Sequence, residues 1–227
     1  MRTTLFATSL LALAIAAPSV QAHQAGDIIV RAGAITVQTK ENSSSVKLDR
    51  GPITGTDYGG KATLSNETQL GLNVAYMVTD HFGVELLAAT PFSHDVSLKG
   101  TAGLDGKLGS LKHLPPTLSA VYYPLDSKSA FQPYFGAGVT YTWFFDESTT
   151  SEAKAKGLNS LNVKNTWGWS AQVGADYMLT DKLMLNGQIR YIDIDTSAYV
   201  DVAGLHRAKV DVNVEPLVYM VGLGYKF

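Results

Sequence analysis

The sequence has no cysteine, and charged residues make up only 17% of its 227 positions. Disulfides and thiolate-bound metals are therefore excluded, and the fold must rest on packing and hydrogen bonding. The formal net charge is −2, which gives no reason to expect a nucleic-acid partner. Metal-ligand spacings, phosphate-binding glycine loops and nucleotide motifs are also missing, so we expect no cofactor.

Long hydrophobic runs are absent too, with one exception at the N-terminus. Residues 5–17 are almost wholly apolar and follow the basic Arg2. This run is shorter than the roughly 20 residues of a membrane-spanning helix, and Ala22 places a small residue at a cleavage position. We therefore predict a signal peptide over residues 1–22, rather than an anchor helix, and a single mature domain over residues 23–227.

The main pattern in the mature chain is a period-two alternation of side chains. Across residues 167–179, one face carries two tryptophans, a tyrosine and aliphatic residues, while the other carries mostly small and polar residues. Aromatic residues at both ends of an apolar face are typical of strands in outer-membrane barrels. Because backbone groups cannot stay unpaired in lipid, strands cross a membrane only as a closed barrel.

Segments of this kind recur along the chain, and each exceeds the roughly 9–11 residues that cross a bilayer. Short and long connections alternate between them, as periplasmic turns and extracellular loops do in such barrels. We predict an all-β fold, an eight-stranded antiparallel transmembrane β-barrel in the outer membrane of a Gram-negative bacterium, with both termini periplasmic. The segments are 27–38, 66–78, 82–95, 112–124, 131–146, 165–179, 183–197 and 209–227, and the long loops are 39–65, 96–111, 147–164 (with helical turns near 151–158) and 198–208.

Apolar and aromatic residues share one face of the last segment, which closes on Phe227. A terminal aromatic residue of this kind resembles the signal that the outer-membrane barrel assembly machinery reads. We therefore predict that Tyr225 and Phe227 form an assembly signal, with this machinery as a partner. Outer-membrane lipid and lipopolysaccharide are the other partners expected of such a barrel.

Eight stretches, in order along the mature chain, resemble the OmpW family of outer-membrane proteins. The resemblance implies an eight-stranded barrel that admits small hydrophobic molecules, and members near alkane and aromatic degradation pathways are associated with hydrocarbon uptake. It also implies that Leu87 belongs to an apolar constriction. The family's aromatic residue on the seventh strand is replaced here by Arg190. The stretches are 25–27, 30–33, 68–72, 83–92 (GVELLAATPF), 113–118, 133–139, 191–195 and 224–227.

The lumen of an eight-stranded barrel is only about wide enough to be filled by side chains, so a wide aqueous pore is excluded. Strand parity, with the apolar face toward lipid, turns Met77, Glu85, Leu87 and Arg190 inward. Leu87 and Met77 are apolar and can contact a hydrophobic solute, whereas Glu85 and Arg190 can pair across the lumen. We predict that these four residues line the substrate path; packing of the interior is the alternative role for each.

The prolines predict a weak point in the wall. Pro91 ends the membrane part of the third strand, and Pro115 and Pro116 lie in the fourth. Proline donates no ladder hydrogen bond and is unusual in a central strand, and every strand of a closed barrel is central. We predict a local gap between these strands, through which a hydrophobic molecule leaves sideways into the bilayer.

Three functions compete at this point. A passive channel for uptake of small hydrophobic molecules, with lateral release, is the leading interpretation. A structural or adhesion barrel acting through its extracellular loops is the alternative. A lipid-modifying enzyme is the third, because His94, His113 and His206 lie near the extracellular end with serines nearby; without a nucleophile motif, we expect no enzyme.

Overall fold

The computed structural model describes residues 22–39, 41–51, 54–101, 103–202 and 206–227. Apart from Ala22, the predicted signal peptide lies outside these residues, so its removal stays a prediction. No helix in the described part of the chain is long and apolar enough to cross a membrane.

The elements are β1 (Ile28–Gln38), β2 (Glu41–Ser43), β3 (Lys47–Arg50), β4 (Gly59–Leu64), β5 (Glu67–Met77), β6 (Phe82–Ala89), β7 (Phe92–Thr101), β8 (Gly106–Leu114), β9 (Thr117–Tyr122), β10 (Phe131–Thr149), α1 (Ser151–Ala155), β11 (Leu158–Val163), β12 (Thr166–Met178), β13 (Leu183–Val202), β14 (His206–Val214) and β15 (Leu217–Lys226).

Eight of these strands close into a ring, in the order β1, β5, β6, β9, β10, β12, β13, β15 and back to β1. Every neighbouring pair is antiparallel. Closure leaves no free sheet edge in the ring, which is what a strand wall in lipid requires. The predicted eight-stranded antiparallel barrel is therefore confirmed.

The outward face of the ring is an apolar band between two rows of aromatic residues. On β12 the band runs from Trp167, which is 68% exposed, to Tyr177, which is 43% exposed. Ten residue steps along a strand tilted by about 40° span roughly 25 Å across the band, which matches the apolar thickness of outer-membrane barrels. The alternation read from the sequence thus turns the apolar side chains outward to lipid.

The remaining strands extend the barrel on the side away from the short turns. One sheet contains β11, β14, β2, β3 and the outer half of β13, and the other contains β4, β7, β8 and the outer half of β10. Apolar side chains of the two sheets pack on one another. We call this region the outer extension.

Much of the outer extension was predicted as long solvated loops, and that prediction is wrong. The long connections 39–65, 96–111, 147–164 and 198–208 contain β2, β3, β4, β11 and parts of β7, β8, β10, β13 and β14. Their inward residues, such as Leu98, Leu108 and Leu161, are buried, while polar residues between them face outward. The helical turns expected near residues 151–158 are present as α1, capped by the Thr150 hydroxyl.

Candidate functional site

Two buried ion pairs fill the interior of the ring. In the first, the Arg31 guanidinium on β1 donates to Asp176 on β12, from Nε to Oδ1 at 2.9 Å and from Nη2 to Oδ2 at 2.6 Å. The Tyr123 hydroxyl accepts from Nη2 at 2.8 Å, and His23 Nε2 lies 3.0 Å from Asp176 Oδ2. Neither Arg31 nor Asp176 keeps any exposed side-chain surface.

The second pair joins Arg190 on β13 to Glu85 on β6, with 2.6 Å between Nη2 and Oε1. Gln172 donates to the same Glu85 oxygen at 2.9 Å and accepts from Arg190. Arg31 Nη1 lies 3.5 Å from Glu85 Oε2 and connects the two pairs. Two positive and two negative groups therefore balance inside the ring. We call Arg31, Glu85, Asp176 and Arg190 the polar floor.

Outward from the polar floor, the lumen becomes apolar. Leu87 and Ile192 follow Glu85 and Arg190 by two positions on their strands, and both are buried in the apolar core. Beyond them lies a cavity of about 70 Å³, several times the roughly 10–15 Å³ that one water needs. We call it the lumenal cavity. Its lining is Val37, Thr39, Leu64, His94, Val96, Leu111, His113, Thr142, Phe144, Leu161, Val163, Ile194, Thr196, Ala198, Val212, Val214 and Pro216.

A second apolar cavity, of about 180 Å³, lies farther out between the two sheets of the outer extension. It shares Val96, Leu161 and Ala198 with the lumenal cavity. The two cavities are therefore neighbours, placed between the outer extension and the polar floor. Sequence reasoning missed these cavities because many of the strands that line them were assigned to loops.

The two histidines of the lumenal cavity contact each other. His94 Nε2 and His113 Nε2 are 2.7 Å apart. The ring of His113 stacks on that of Phe92, with centroids 5.4 Å apart, and contacts the tilted ring of Phe144 at 5.8 Å. His94 Nδ1 lies 2.6 Å from the carbonyl oxygen of Ser65, so this nitrogen carries a proton and donates. Burial and the adjacent His94 lower the pKa of His113, which lies in the outer extension, to about 3.

Ladder pairing between the third and fourth long strands is interrupted beside the lumenal cavity. The pairing of β6 with β9 ends at Leu87–Thr117, and the pairing of β7 with β8 begins at Phe92–His113. In an antiparallel ladder the two numbers of every pair have the same sum. That sum is 204 before the interruption and 205 after it, so the register shifts by one residue. We call residues 88–91, with residues 114–116 opposite, the wall gap.

Backbone alternation shows which prolines remove donors from the wall gap. The Tyr141 N–H donates to the Pro116 carbonyl at 3.1 Å, so the backbone groups of Pro116 point to β10, on the other side of the strand. Those of the neighbouring Pro115 therefore point into the gap. On the third strand, the Thr90 N–H donates to Leu70 of β5, so the backbone nitrogen of Pro91 points into the gap as well.

The other predicted site residues are not all brought together. Leu87 forms the last pair before the wall gap, whereas Met77 packs with Ala22 and Tyr123 on the short-turn side of the polar floor. Tyr225 and Phe227 lie outward at that same end, 40% and 69% exposed, with ring centroids 4.8 Å apart. Their role in assembly stays a prediction.

Two residues of the polar floor, Arg31 and Asp176, were not singled out in the sequence. Both interrupt apolar stretches at inward positions of their strands, between Val30 and Ala32 and between Ala175 and Tyr177. That position is a usable signal, because an unpaired charge is too costly to bury in a barrel interior. Which partner each one takes depends on strand stagger around the ring, which the sequence pattern does not contain.

Comparison with known proteins decides the family. The OmpW family model matches residues 24–227. The chain belongs to the OmpW family. Outer membrane protein W of Vibrio cholerae is 42% identical over 228 aligned positions, which cover 100% of each chain. The crystal structure of OprG from Pseudomonas aeruginosa is similar with a TM-score of 0.85 and 49% identity, over 92% of this chain and 99% of that one.

AlkL of Ectopseudomonas oleovorans is a more distant relative, and its solid-state NMR structure in lipid bilayers has a TM-score of 0.63 and 25% identity, over 93% of this chain and 94% of that one. As an OmpW-family barrel, the protein lies in the outer membrane of a Gram-negative bacterium, as the sequence predicted. Its apolar outward band contacts membrane lipid.

Proposed function

We propose that the protein is a passive channel through which small hydrophobic molecules enter the outer membrane, leaving sideways through the wall gap. The observation that carries this proposal is the position of the gap, which lies beside an apolar cavity and on the outer side of a closed polar floor. A solute in the lumenal cavity has the charged polar floor on its periplasmic side and the wall gap beside it.

The outer extension supplies the first part of the route. Apolar side chains form most of the lining of its two cavities, so an apolar molecule gains by leaving water for them. The extension also raises the opening above the membrane surface, into the sugar layer of lipopolysaccharide. That layer resists apolar solutes, and a protected path through it is what the barrel contributes.

The polar floor supplies the reason for a lateral exit. To pass straight through the ring, an apolar solute must separate the charged partners within the two hydrogen-bonded ion pairs. Separating a buried pair leaves uncompensated charge and costs several kcal/mol. Glu85 and Arg190 therefore bound the route and do not line it, and Met77 lies beyond it. Leu87 stays at its inner end.

The same lining argues against the other two interpretations. A catalytic site needs a positioned nucleophile, and the histidine pair of the lumenal cavity bonds to a backbone carbonyl and to itself. We propose that the protein is not an enzyme. An adhesion barrel needs only its outer surface, so an internal apolar route has no use in that role.

The two adjacent prolines provide the test. Pro115→Val restores an N–H donor to the wall gap, whereas Pro116→Val restores one on the β10 side, where the wall is already paired. We expect Pro115→Val to slow uptake of apolar solutes several-fold and Pro116→Val to leave it near the wild-type rate. Uptake is measured in cells or liposomes at equal abundance of folded barrel. Equal uptake by both variants and the wild type would contradict a lateral exit at this place.

A further inference from the structure

Two polar atoms on the wall of the lumenal cavity have no hydrogen-bond partner among the described residues. They are Nδ1 of His113 and the hydroxyl oxygen of Thr142. The two residues are 7% and 1% exposed, so bulk water does not replace the missing partners. A buried polar group without a partner is unfavourable, so each of these atoms would gain from a partner that enters the cavity which its residue lines.

The two atoms belong to neighbouring positions of one wall. His113 on β8 pairs with Phe144 on β10, and Thr142 precedes Phe144 by two positions, so its side chain lies on the same inward face. Diagonal neighbours of this kind are roughly 7–8 Å apart at the backbone, with their side chains closer. The two residues therefore lie side by side on the cavity wall. We call His113 and Thr142 the polar pair of the cavity.

The hydrogen bonds of the two histidines determine whether His113 Nδ1 is a donor or an acceptor toward the cavity. The Ser65 carbonyl only accepts, so His94 Nδ1 donates to it, and a His94 ring with this single proton accepts at Nε2. His113 Nε2 then donates across the 2.7 Å contact. Because the lowered pKa keeps His113 neutral, its Nδ1 is left as an acceptor. The Thr142 hydroxyl either donates or accepts.

We propose that the polar pair is a head-group site for small apolar molecules that carry a single hydroxyl group, such as primary alcohols and phenols. The ligand hydroxyl donates to His113 Nδ1 and accepts from the Thr142 hydroxyl, while its hydrocarbon part lies against the aliphatic lining. An alkane leaves both protein atoms without partners. A carboxylate has no proton to donate and must lose its hydration in an apolar cavity.

This inference rests on the proposed function, since it takes the lumenal cavity as part of the solute route. Its test is nevertheless a binding measurement. The mature protein in lipid nanodiscs is titrated with 1-hexanol, n-hexane and hexanoate. For each ligand, the affinity and the change in the ¹⁵N chemical shift of His113 Nδ1 are measured. We expect 1-hexanol to bind most tightly and to move that shift, and n-hexane to leave it in place.

Thr142→Val removes one hydroxyl with little change of shape, and His113→Phe removes the acceptor while keeping an aromatic ring beside Phe92 and Phe144. We expect each variant to weaken 1-hexanol binding about tenfold, the effect of one neutral hydrogen bond, and to leave n-hexane unchanged or tighter. Thr140→Val is the matched control, because its hydroxyl bonds to Thr117 at 2.8 Å and does not line the cavity.

The possible outcomes separate this inference from the proposed function. Equal affinities for 1-hexanol and n-hexane, or a Thr142→Val variant that binds 1-hexanol like the wild type, would overturn the head-group site even if apolar solutes are taken up. Selective 1-hexanol binding that both variants lose, in a protein that transports nothing, would support the site and contradict the channel.

Discussion

At the residue scale, the polar floor depends on charge balance more than on any single bond. Glu85→Gln keeps the size of the side chain but leaves Arg190 without its carboxylate. Because both groups are buried, we expect the free energy of unfolding to fall by about 3–5 kcal/mol. Urea unfolding of the barrel in detergent micelles measures this change.

The control is an ion pair of similar length on the surface. Lys107 and Asp95 are 2.7 Å apart, with side chains 48% and 53% exposed. Asp95→Asn should change stability by no more than about 1 kcal/mol. If Glu85→Gln has an equally small effect, the floor is not held together by the pairing of Glu85 with Arg190.

His113 gives the outer extension a dependence on pH. Its pKa is about 3 in the folded chain, against an ordinary value of 6.5, so between these values only the unfolded chain binds the proton. Stability should therefore be greatest above pH 6.5 and should fall as the pH drops toward 3.

Comparison of the wild type with His113→Phe isolates this contribution. Between pH 7 and pH 5 the wild type should lose about 2 kcal/mol more than the variant, at roughly 1.4 kcal/mol per pH unit below 6.5. Denaturant titrations at both pH values measure the difference. Parallel pH profiles for the two proteins would contradict a neutral, buried His113.

The sequence predicted single residues unevenly. Parity alone turned Glu85, Leu87 and Arg190 inward, because side chains alternate strictly along a strand. It did not predict that Met77 and Leu87 lie on opposite sides of the polar floor. Their separation depends on depth along the barrel, which strand tilt and stagger determine.

At the element scale, the ring strands β1, β5, β10 and β12 begin and end within three residues of the predicted segments. The predicted segments 82–95, 112–124 and 209–227 each join a ring strand to a strand of the outer extension, and the short strands of the extension were not predicted. Residues 166–178 carry a long, uniform alternation with aromatic ends, which only a lipid-facing strand has a reason to keep. The six residues of β11 are too few for period two to stand out from a polar loop. Packing against the opposite sheet, which is a tertiary effect, makes them a strand.

The wall gap is an element-scale feature with a local cause. Pro91 and Pro115, on opposite sides of the gap, have no backbone N–H to donate across it. The ladder of β6 with β9 and the ladder of β7 with β8 also differ in register by one residue. The sequence predicted a weak point here from proline chemistry. The sequence could not distinguish the roles of Pro115 and Pro116. The register determines whether the backbone groups of each proline point to the gap or to β10. That distinction is what makes Pro116→Val a useful control.

At the scale of the whole molecule, three layers follow one another along the barrel axis. The short-turn end and the polar floor are closed, the lumen above them is apolar, and the outer extension carries that apolar lumen away from the membrane. Each layer has a simple physical basis in charge pairing, burial and strand length. Their order is what favours lateral release over passage through the ring.

The absence of cysteine allows the central claim to be tested with engineered thiols alone. Ala88→Cys with Pro116→Cys places a disulfide across the wall gap, one position beyond the Leu87–Thr117 pair. Ala88→Cys with Leu72→Cys places one across the intact pairing of β5 with β6 and shares one thiol with the first variant. Leu72 and Ala88 are directly opposed in the ladder, within disulfide reach, and titration of free thiols measures how completely each disulfide forms.

The measurement is uptake of an apolar solute before oxidation, after oxidation and after reduction, at equal abundance of folded barrel. Lateral release predicts that oxidation slows uptake severalfold in the gap variant only, and that a reducing agent restores it. Undiminished uptake with the gap disulfide fully formed would contradict release through this wall.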